Sequence, residues 1–287
     1  MHFSVEELNE FRRRIAVVMD PSEVDAELAH TYADFAYRFP FEGHEPGTAP
    51  RSAVDEAFGA EAVAASAGDE LREAGFGQAL DQADLVKIGE ASFSQDADPE
   101  PGHPYRFVAE VDCSPHYELT SYDPVVVRLP AMGTNAAMAP ALQKMRENEA
   151  LHVLQQRLIG EIPEVMADTK EQLQLQEIYA KASAQNMPFE NYLIQQRIDP
   201  NVFRKELEEQ AVEMVRRDLA LDAWARHIGV EVTDKMVAAN FARSGVAHPA
   251  LEEARWRANG RIAELRQAIR RAGAMRDIMQ TLVIETI

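Results

Sequence analysis

The sequence predicts an α+β N-terminal domain, with an antiparallel sheet and two helices, followed by an all-α C-terminal domain. Segments that read as strands lie before residue 130, whereas beyond residue 135 the apolar residues recur at helical spacing. The chain of 287 residues is long enough for two domains of roughly 100–200 residues each. The charge of the chain divides at about the same place.

Residues 1–130 form an acidic block. They carry nine basic and 26 acidic side chains, a net charge of −17, whereas residues 131–287 carry 20 and 22, a net charge of −2. Nucleic-acid binding depends on Lys and Arg side chains that displace phosphate counterions. The acidic domain therefore argues against RNA, and DNA is not expected as a partner.

The composition bears on several other classes of protein. With 46% hydrophobic and 27% charged residues, the sequence is typical of a folded chain rather than a disordered one. No apolar run approaches the roughly 18 residues that a membrane span needs, and the acidic first residues do not resemble a secretion signal. We therefore expect a cytoplasmic protein with no membrane partner.

The first elements follow from periodicity and helix caps. Residues 3–19 are predicted to form two extended segments, and the Asp-Pro pair at 20–21 is typical of a helix start. Residues 51–80 are predicted to be helical, with a break near Gly59, and the segment 75–77 is expected to end or interrupt that helix. The first helix carries one apolar stripe, made of Val24, Leu28, Tyr32 and Phe35.

Further strands are expected to complete the antiparallel sheet before the N-terminal domain ends at residue 130. A linker is predicted over 131–147 and the helical domain over 148–287, with no strand after residue 135. The predicted strands are Leu85–Ser94, Tyr105–Asp112 and Leu119–Leu129.

Helix starts in the second half are indicated by prolines and caps. Near the C-terminus, residues 255–276 hold seven arginines and one glutamate, a net charge of +6. This arginine stripe has two interpretations: a solvated helix face balanced by acidic neighbours, or a surface that receives the acidic domain within one chain or between two. The predicted starts are Pro163, Pro188, Asp199-Pro200 and Thr233-Asp234, and the arginines are Arg255, Arg257, Arg261, Arg266, Arg270, Arg271 and Arg276.

A loop over residues 39–50, between the first two helices, contains two glycines and three prolines and cannot continue either helix. Its spacing of Gly43, Gly47 and Pro50 resembles the ribosome-docking tip of trigger factor, the bacterial tunnel-exit chaperone. The contact positions differ. His44 stands where the family has Phe, Glu45 where it has Arg, and Thr48 where it has Lys. The resemblance therefore implies ribosome docking that is weak or lost.

The resemblance extends over nearly the whole chain, in the order of its strands and helices. It implies an N-terminal domain of the ribosome-binding type and a helical chaperone domain that bears arms. Trigger factors usually carry an FKBP-type prolyl isomerase domain of about a hundred residues between these two, a size typical of one domain. Residues 131–147 are too few for such a domain, so the resemblance implies that the isomerase is absent and the chain is not an enzyme.

No residue pattern indicates catalysis. The histidines are dispersed, and the neighbours His44 and Glu45 are interpreted as a solvated pair in a loop rather than a metal site. Cys113, the single cysteine, ends a strand without basic neighbours in sequence, which favours a structural role over that of a nucleophile. No catalytic residue, metal or cofactor is predicted.

Client-binding residues are predicted on the arm-like helices. Nine of the eleven methionines follow residue 131, and flexible, polarizable side chains suit surfaces that adapt to many partners, although most such residues fill gaps between helices. The resemblance favours exposure on the arms. The candidates are Met166, Leu173, Tyr179, Met187, Phe189 and Tyr192.

Two functions of different classes follow. The first is an ATP-independent chaperone, a holdase, that binds unfolded or nascent polypeptides through apolar surfaces of the helical domain. The alternative is a dedicated partner-binding or assembly protein that acts as a homodimer, with the arginine stripe of one copy facing the acidic domain of another.

Overall fold

The computed structural model describes residues 1–95, 97–130, 138–199 and 202–286. The chain divides into two compact units. Unit 1 combines Met1–Ser114 with Thr233–Leu265, and unit 2 combines Pro115–Val232 with Arg266–Ile287. These units do not follow the predicted division at residue 130, because a segment of the second half returns to the N-terminal fold. The predicted fold class, an antiparallel α+β part followed by a largely helical part, is confirmed.

Unit 1 is built on a four-stranded antiparallel sheet in the order β1-β2-β4-β3. Along the central strand β2, buried and less buried residues alternate, which is the period of a sheet with one covered face. The strands are β1 (His2–Glu7), β2 (Arg12–Met19), β3 (Lys87–Gln95) and β4 (Tyr105–Cys113).

Three helices complete the first part of unit 1: α1 (Pro21–Arg38), α2 (Arg51–Phe58) and α3 (Ala60–Ala83). At the start of α1, the Glu23 carboxylate accepts a hydrogen bond of 2.8 Å from the Asp20 backbone N–H. The helices α1 and α3 share a core with the sheet. Its members include Ile15, Val17, Val24, Leu28, Leu71, Leu80, Phe107 and Val111.

Helix α3 runs without a break through Gly75 and Gly77, so the predicted interruption is wrong. The two glycines serve close packing instead. A Cβ on Gly75 would lie 2.9 Å from the Met19 sulfur, and one on Gly77 would overlap the carbonyl oxygen of Ala258. The absence of a side chain thus lets another segment of unit 1 touch the helix backbone.

That segment contains α8 (Asp234–Arg243) and α9 (Pro249–Ala258). The Thr233 hydroxyl accepts from the Met236 N–H, as the predicted helix cap requires. Helix α9 lies against α3, and the Arg257 guanidinium donates to Asp81 at 3.0 Å.

Unit 2 is largely helical. Its core is lined by α7, and its members include Leu119, Val127, Leu154, Leu158, Val215, Leu219, Trp224 and Ile278. The helices are α4 (Ala139–Gln156), α5 (Glu164–Ala184), α6 (Phe189–Gln195), α7 (Phe203–His227) and α10 (Ile262–Thr281), of which α10 begins in unit 1.

Two short strand pairs in unit 2 correct the sequence prediction. The expected strand Leu119–Leu129 is split into β5 (Glu118–Leu119) and β6 (Val126–Leu129), and neither joins the four-stranded sheet. They pair with β7 (Leu158–Ile159) and β8 (Val283–Thr286), so strands do occur after residue 135. Pro200 and residues 131–137 of the predicted linker lie outside the described residues, and residues 139–147 of that linker belong to α4.

Candidate functional sites

The loop between α1 and α2 is ordered by its own backbone. The Gly47 N–H donates to the Ala36 carbonyl at 2.8 Å, which ties the loop to α1. The Thr48 N–H and hydroxyl donate to the Glu45 carbonyl at 3.0 and 2.8 Å. Gly43 and Gly47 have φ angles of 80° and 84°, which other residues rarely adopt.

Four phenylalanines, which we call the tip aromatic cluster, support this loop. Phe58 of α2 lies 5.2 Å from Phe35, 4.7 Å from Phe39 and 6.2 Å from Phe41, measured between ring centroids. Since the rings pack on each other, much of their apolar surface is used within the tip.

The predicted contact residues His44, Glu45 and Thr48 are all exposed at the end of the loop. The Tyr32 hydroxyl donates to Asp55 at 2.7 Å and joins the two helices that flank the loop, α1 and α2. Burial and that hydrogen bond raise the pKa of Tyr32. The loop presents a carboxylate, that of Glu45, to solvent.

The second candidate site lies on the helices of unit 2. Helix α5 packs along α7. Leu173 and Tyr179 of α5 are 52% and 47% exposed, which is high for large apolar side chains. The Tyr179 ring stacks on Phe189 of α6 at 4.2 Å, and Phe189 meets Phe203 of α7 edge-on at 5.6 Å.

The six predicted client-binding residues occupy different environments. Met166 packs against the core of unit 2, and Tyr192 is buried. Met187 and Phe189 are partly buried, which leaves Leu173 and Tyr179 as the exposed members.

Sequence reasoning missed exposed residues on the same helices. Ile194 is 64% exposed and follows the buried Tyr192 and Leu193. A helix turns about 100° per residue, so three consecutive apolar residues cannot all face one core. Apolar residues that fall outside the buried stripe of a helix were the signal in the sequence that could have identified these exposed positions. We define the arm surface as Leu173, Tyr179, Ile194, Val202 and Val212.

A buried ion pair holds the core end of α7 to α10. Asp222 is 5% exposed and accepts two hydrogen bonds of 2.7 Å from Arg271 and one of 2.9 Å from Gln267. Burial raises the pKa of Asp222 and the Arg271 contacts oppose that rise, while hydrogen bonds to Asp222 keep the pKa of Arg271 above its ordinary value despite burial. This ion pair thus fixes the C-terminal part of α7 to α10, while the N-terminal part of α7 carries Val212 of the arm surface.

The arginine stripe is divided between local ion pairs. Arg257 binds Asp81, Asp234 and Glu253 inside unit 1, and Arg271 binds Asp218 as well as Asp222 inside unit 2. Arg255 and Arg261 also pair with Glu252 and Glu264, so at least four of the seven arginines have an acidic neighbour, as expected of a balanced helix face.

Cys113 is buried in the core of unit 1. Burial raises the pKa of its thiol to about 11. A buried thiol with a raised pKa supplies little thiolate near neutral pH, as expected of a structural cysteine.

The structure defines a class of protein in which an α+β unit with a shaped inter-helix loop accompanies a helical unit bearing arms. None of the helices in the described ranges has the length and apolarity that crossing a bilayer demands.

Two family models together match nearly the whole chain. A model described as bacterial trigger factor protein (TF) matches residues 1–145, and one described as its C-terminus matches residues 135–283. The chain belongs to the trigger factor family.

Individual relatives match part of their length. Trigger factor of Corynebacterium glutamicum is 31% identical over 132 residues, which are 46% of this chain and 29% of that protein. Trigger factor of Anaeromyxobacter dehalogenans is 28% identical over 151 residues, 52% of this chain and 35% of that one. The chain thus matches about a third of these curated relatives.

A solved trigger factor structure, from work on promiscuous substrate recognition in folding and assembly, aligns over 98% of this chain and 99% of that chain. The identity is 12% and the TM-score 0.44.

The two family-model matches overlap at residues 135–145, so no residues lie between them.

Proposed function

We propose that this chain is an ATP-independent holdase of the cytoplasm that binds unfolded or nascent polypeptides through the arm surface. One observation carries the proposal: the exposure of large apolar side chains along α5 and α6, with Ile194 at 64%. Exposed apolar patches on folded proteins commonly mark sites of interaction.

The proposed mechanism needs no catalytic residue. Each arm residue offers a small apolar contact, and an extended client touches several at once. Linked weak contacts raise the overall affinity while each contact still dissociates fast. Stacking of Tyr179 on Phe189 keeps the arm ordered without burying the tyrosine. The net charge of −19 keeps a protein–client complex soluble.

The absence of an isomerase domain belongs to the same proposal. Family-model matches that overlap at residues 135–145 support a chaperone that holds clients without isomerising their proline bonds.

Weak or lost ribosome docking is the second part of the proposal. Supporting it are the exposed Glu45 carboxylate at the tip and the charge of −17 over residues 1–130. Both repel the phosphates of ribosomal RNA. Clients would then be met free in solution rather than at the tunnel exit.

An aggregation assay tests the arm surface. We expect the double substitution Leu173→Ser and Tyr179→Ser to reduce protection of a denatured client about fivefold or more, since each removes an exposed apolar contact of up to about 1 kcal/mol. Light scattering of the diluted client measures this. The unfolding free energy of the protein should change by less than about 1 kcal/mol.

The matched control is Leu251→Ser on α9, where the leucine is 60% exposed but lies in unit 1. It should leave client protection unchanged. Equal loss of protection in both variants would mean that apolar exposure in general, rather than the arm surface, holds the client.

A further inference from the structure

The edge of the sheet in unit 1 is unoccupied along β3. This strand ends the order β1-β2-β4-β3, so its outer side has no partner strand among the described residues. The pairing of β3 with β4 shifts register between Ile88 and Ser92, which marks a bulge. Beyond the bulge, Ser92–Gln95 pair regularly with β4 and carry no charge.

Natural proteins usually protect an edge strand with charges, prolines or bulges. Here the bulge and Lys87 protect only the first half of β3. The second half offers four residues of regular backbone whose outward groups can accept another strand.

A groove adjoins this edge. It has a volume of about 220 Å³ and lies between α3 and β3, lined by residues that include Phe76, Ala91 and Phe93. Phe93 pairs in register with the fully buried Ala109, so it stands on the core-facing side of the sheet, yet it is 41% exposed. The Phe93 ring is therefore covered on one side only, where it meets Phe76 edge-on at 5.3 Å, and the groove has room for one large side chain.

The charge around the groove selects the occupant. Glu73 and Glu90 stand exposed on its rim beside a single ammonium, that of Lys87. The surrounding chain, residues 1–130, has a net charge of −17. A segment with lysine or arginine beside its apolar residues is attracted to this edge, whereas an acidic one is repelled.

We propose that β3 and its groove bind an extended, basic polypeptide segment as a fifth strand of the sheet. Main-chain hydrogen bonds to residues 92–95 hold the segment, and one of its apolar side chains fills the groove against Phe93 and Phe76. The site lies within unit 1 and does not depend on the arm surface.

Hydrogen exchange tests the site directly. The probe is a short synthetic peptide of alternating threonine and valine around one phenylalanine, with lysines at both ends. We expect it to slow amide exchange at residues 92–95. The same peptide N-methylated at alternate residues, which removes its strand-pairing donors, should bind about tenfold more weakly by fluorescence anisotropy.

Two variants sharpen the result. Phe93→Ala should weaken peptide binding about tenfold, while Phe58→Ala, which removes an aromatic ring of similar exposure (37% against 41%) from the tip aromatic cluster, should leave it unchanged. Glu90→Lys alters only an exposed charge. It should weaken binding of the lysine-flanked peptide and strengthen binding of a glutamate-flanked peptide.

The Leu173→Ser and Tyr179→Ser pair should keep protection at residues 92–95, which separates this site from the proposed holdase surface. The proposal would be overturned if the peptide slowed amide exchange only outside residues 92–95. It would also be overturned if the N-methylated peptide bound as tightly as the unmodified one. So would slower exchange at residues 92–95 that grows with protein concentration without peptide, because the occupant would then be a second copy of the chain.

Discussion

The two compact units differ in the closest contact that each makes between its helices. In unit 1, α9 approaches α3 at Gly77, where the backbone of Ala258 occupies the space of a missing side chain. In unit 2, α10 is joined to α7 by the buried pair of Asp222 and Arg271. A side-chain atom added at Gly77 would destabilise the first contact, and removal of one charge of the Asp222–Arg271 pair would destabilise the second.

The units also expose apolar side chains differently. Phenylalanines of the tip aromatic cluster pack on each other, with centroid distances from 4.7 to 6.2 Å. Residues of the arm surface are spread over three helices. The packed rings support a loop while Phe39 and Phe58 stay 41% and 37% exposed, whereas the exposed residues of the arm surface are distributed along different helices.

Each unit contains one tryptophan: Trp256 in unit 1 and Trp224 in unit 2. Unfolding of one unit can therefore be followed by fluorescence in a background where the other tryptophan is replaced by phenylalanine. This makes each comparison below specific to a unit.

The largest effect is expected at the buried ion pair. Asp222→Asn should lower the unfolding free energy of unit 2 by about 3 kcal/mol, because it removes the buried carboxylate that pairs with Arg271 and leaves that buried charge to the partly exposed Asp218. Urea denaturation followed at Trp224 measures the loss. Asp218→Asn is the matched control, since Asp218 binds the same arginine at 3.0 Å but is partly exposed. It should cost less than about 1 kcal/mol, and equal costs would contradict the role assigned to burial.

The glycine contact comes next. Gly77→Ala should lower the unfolding free energy of unit 1 by about 2 kcal/mol, because the new Cβ pushes α9 away and outweighs the gain in helix propensity of about 1 kcal/mol. Urea denaturation followed at Trp256, which lies on α9, reports the change. Gly75→Ala should cost less, since the nearest atom, at 2.9 Å, belongs to the flexible Met19 side chain and the Phe107 ring lies farther away at 3.2 Å. A larger loss at Gly75 would show that the sheet, rather than α9, limits the packing of α3.

The core of unit 1 should also respond to pH. The folded-state pKa of Cys113 is raised from 9.0 to about 11, so the neutral thiol stabilises the fold fully below pH 9. That contribution should fall by about 2 kcal/mol between pH 9 and 11, at 1.36 kcal/mol per unit of pKa shift. Urea denaturation of the protein and of Cys113→Ala at both pH values gives the difference. A difference that does not change with pH would mean that the thiolate is tolerated in the core.

The smallest effect on stability is expected at the tip. The triple substitution His44→Phe, Glu45→Arg and Thr48→Lys alters exposed side chains and should change the unfolding free energy by less than about 0.5 kcal/mol. It should nevertheless raise ribosome co-sedimentation at low salt about tenfold, and the gain should fade as salt is added.

The control places the same charge change on α3, through Glu70→Arg and Ala65→Lys, two exposed positions. If that pair raises ribosome binding as much as the triple substitution does, the overall charge of the domain decides docking. If neither variant binds, positive charge at the tip is not sufficient.

Hydrophobic periodicity in the sequence predicted the elements that bury one regular face. The stripe from Val24 to Phe35 faces the interior of unit 1, with Val24 and Leu28 buried. The cap at Thr233 was also read correctly, since one hydroxyl beside one backbone N–H is a local arrangement. Of the candidate client-binding residues, Leu173 and Tyr179 are exposed as expected, and the phase of α6 that exposes Ile194 was not recognised.

Errors arose where distant segments meet. The segment predicted as the last strand of the sheet joins residues 158–159 and 283–286 instead. Gly75 and Gly77 suggested a helix break, because a glycine that permits a close approach looks in sequence like one that ends a helix.

The sequence by itself determined the fold class, the acidic character of the first 130 residues and most helix starts, because these depend on composition, spacing and neighbouring residues. Only the tertiary structure decided that Thr233–Leu265 returns to unit 1, that the β3 edge stays open, and which apolar residues of α5 to α7 remain exposed. Those features depend on contacts between residues far apart in the chain, and the pattern of a single segment carries no record of its distant partner.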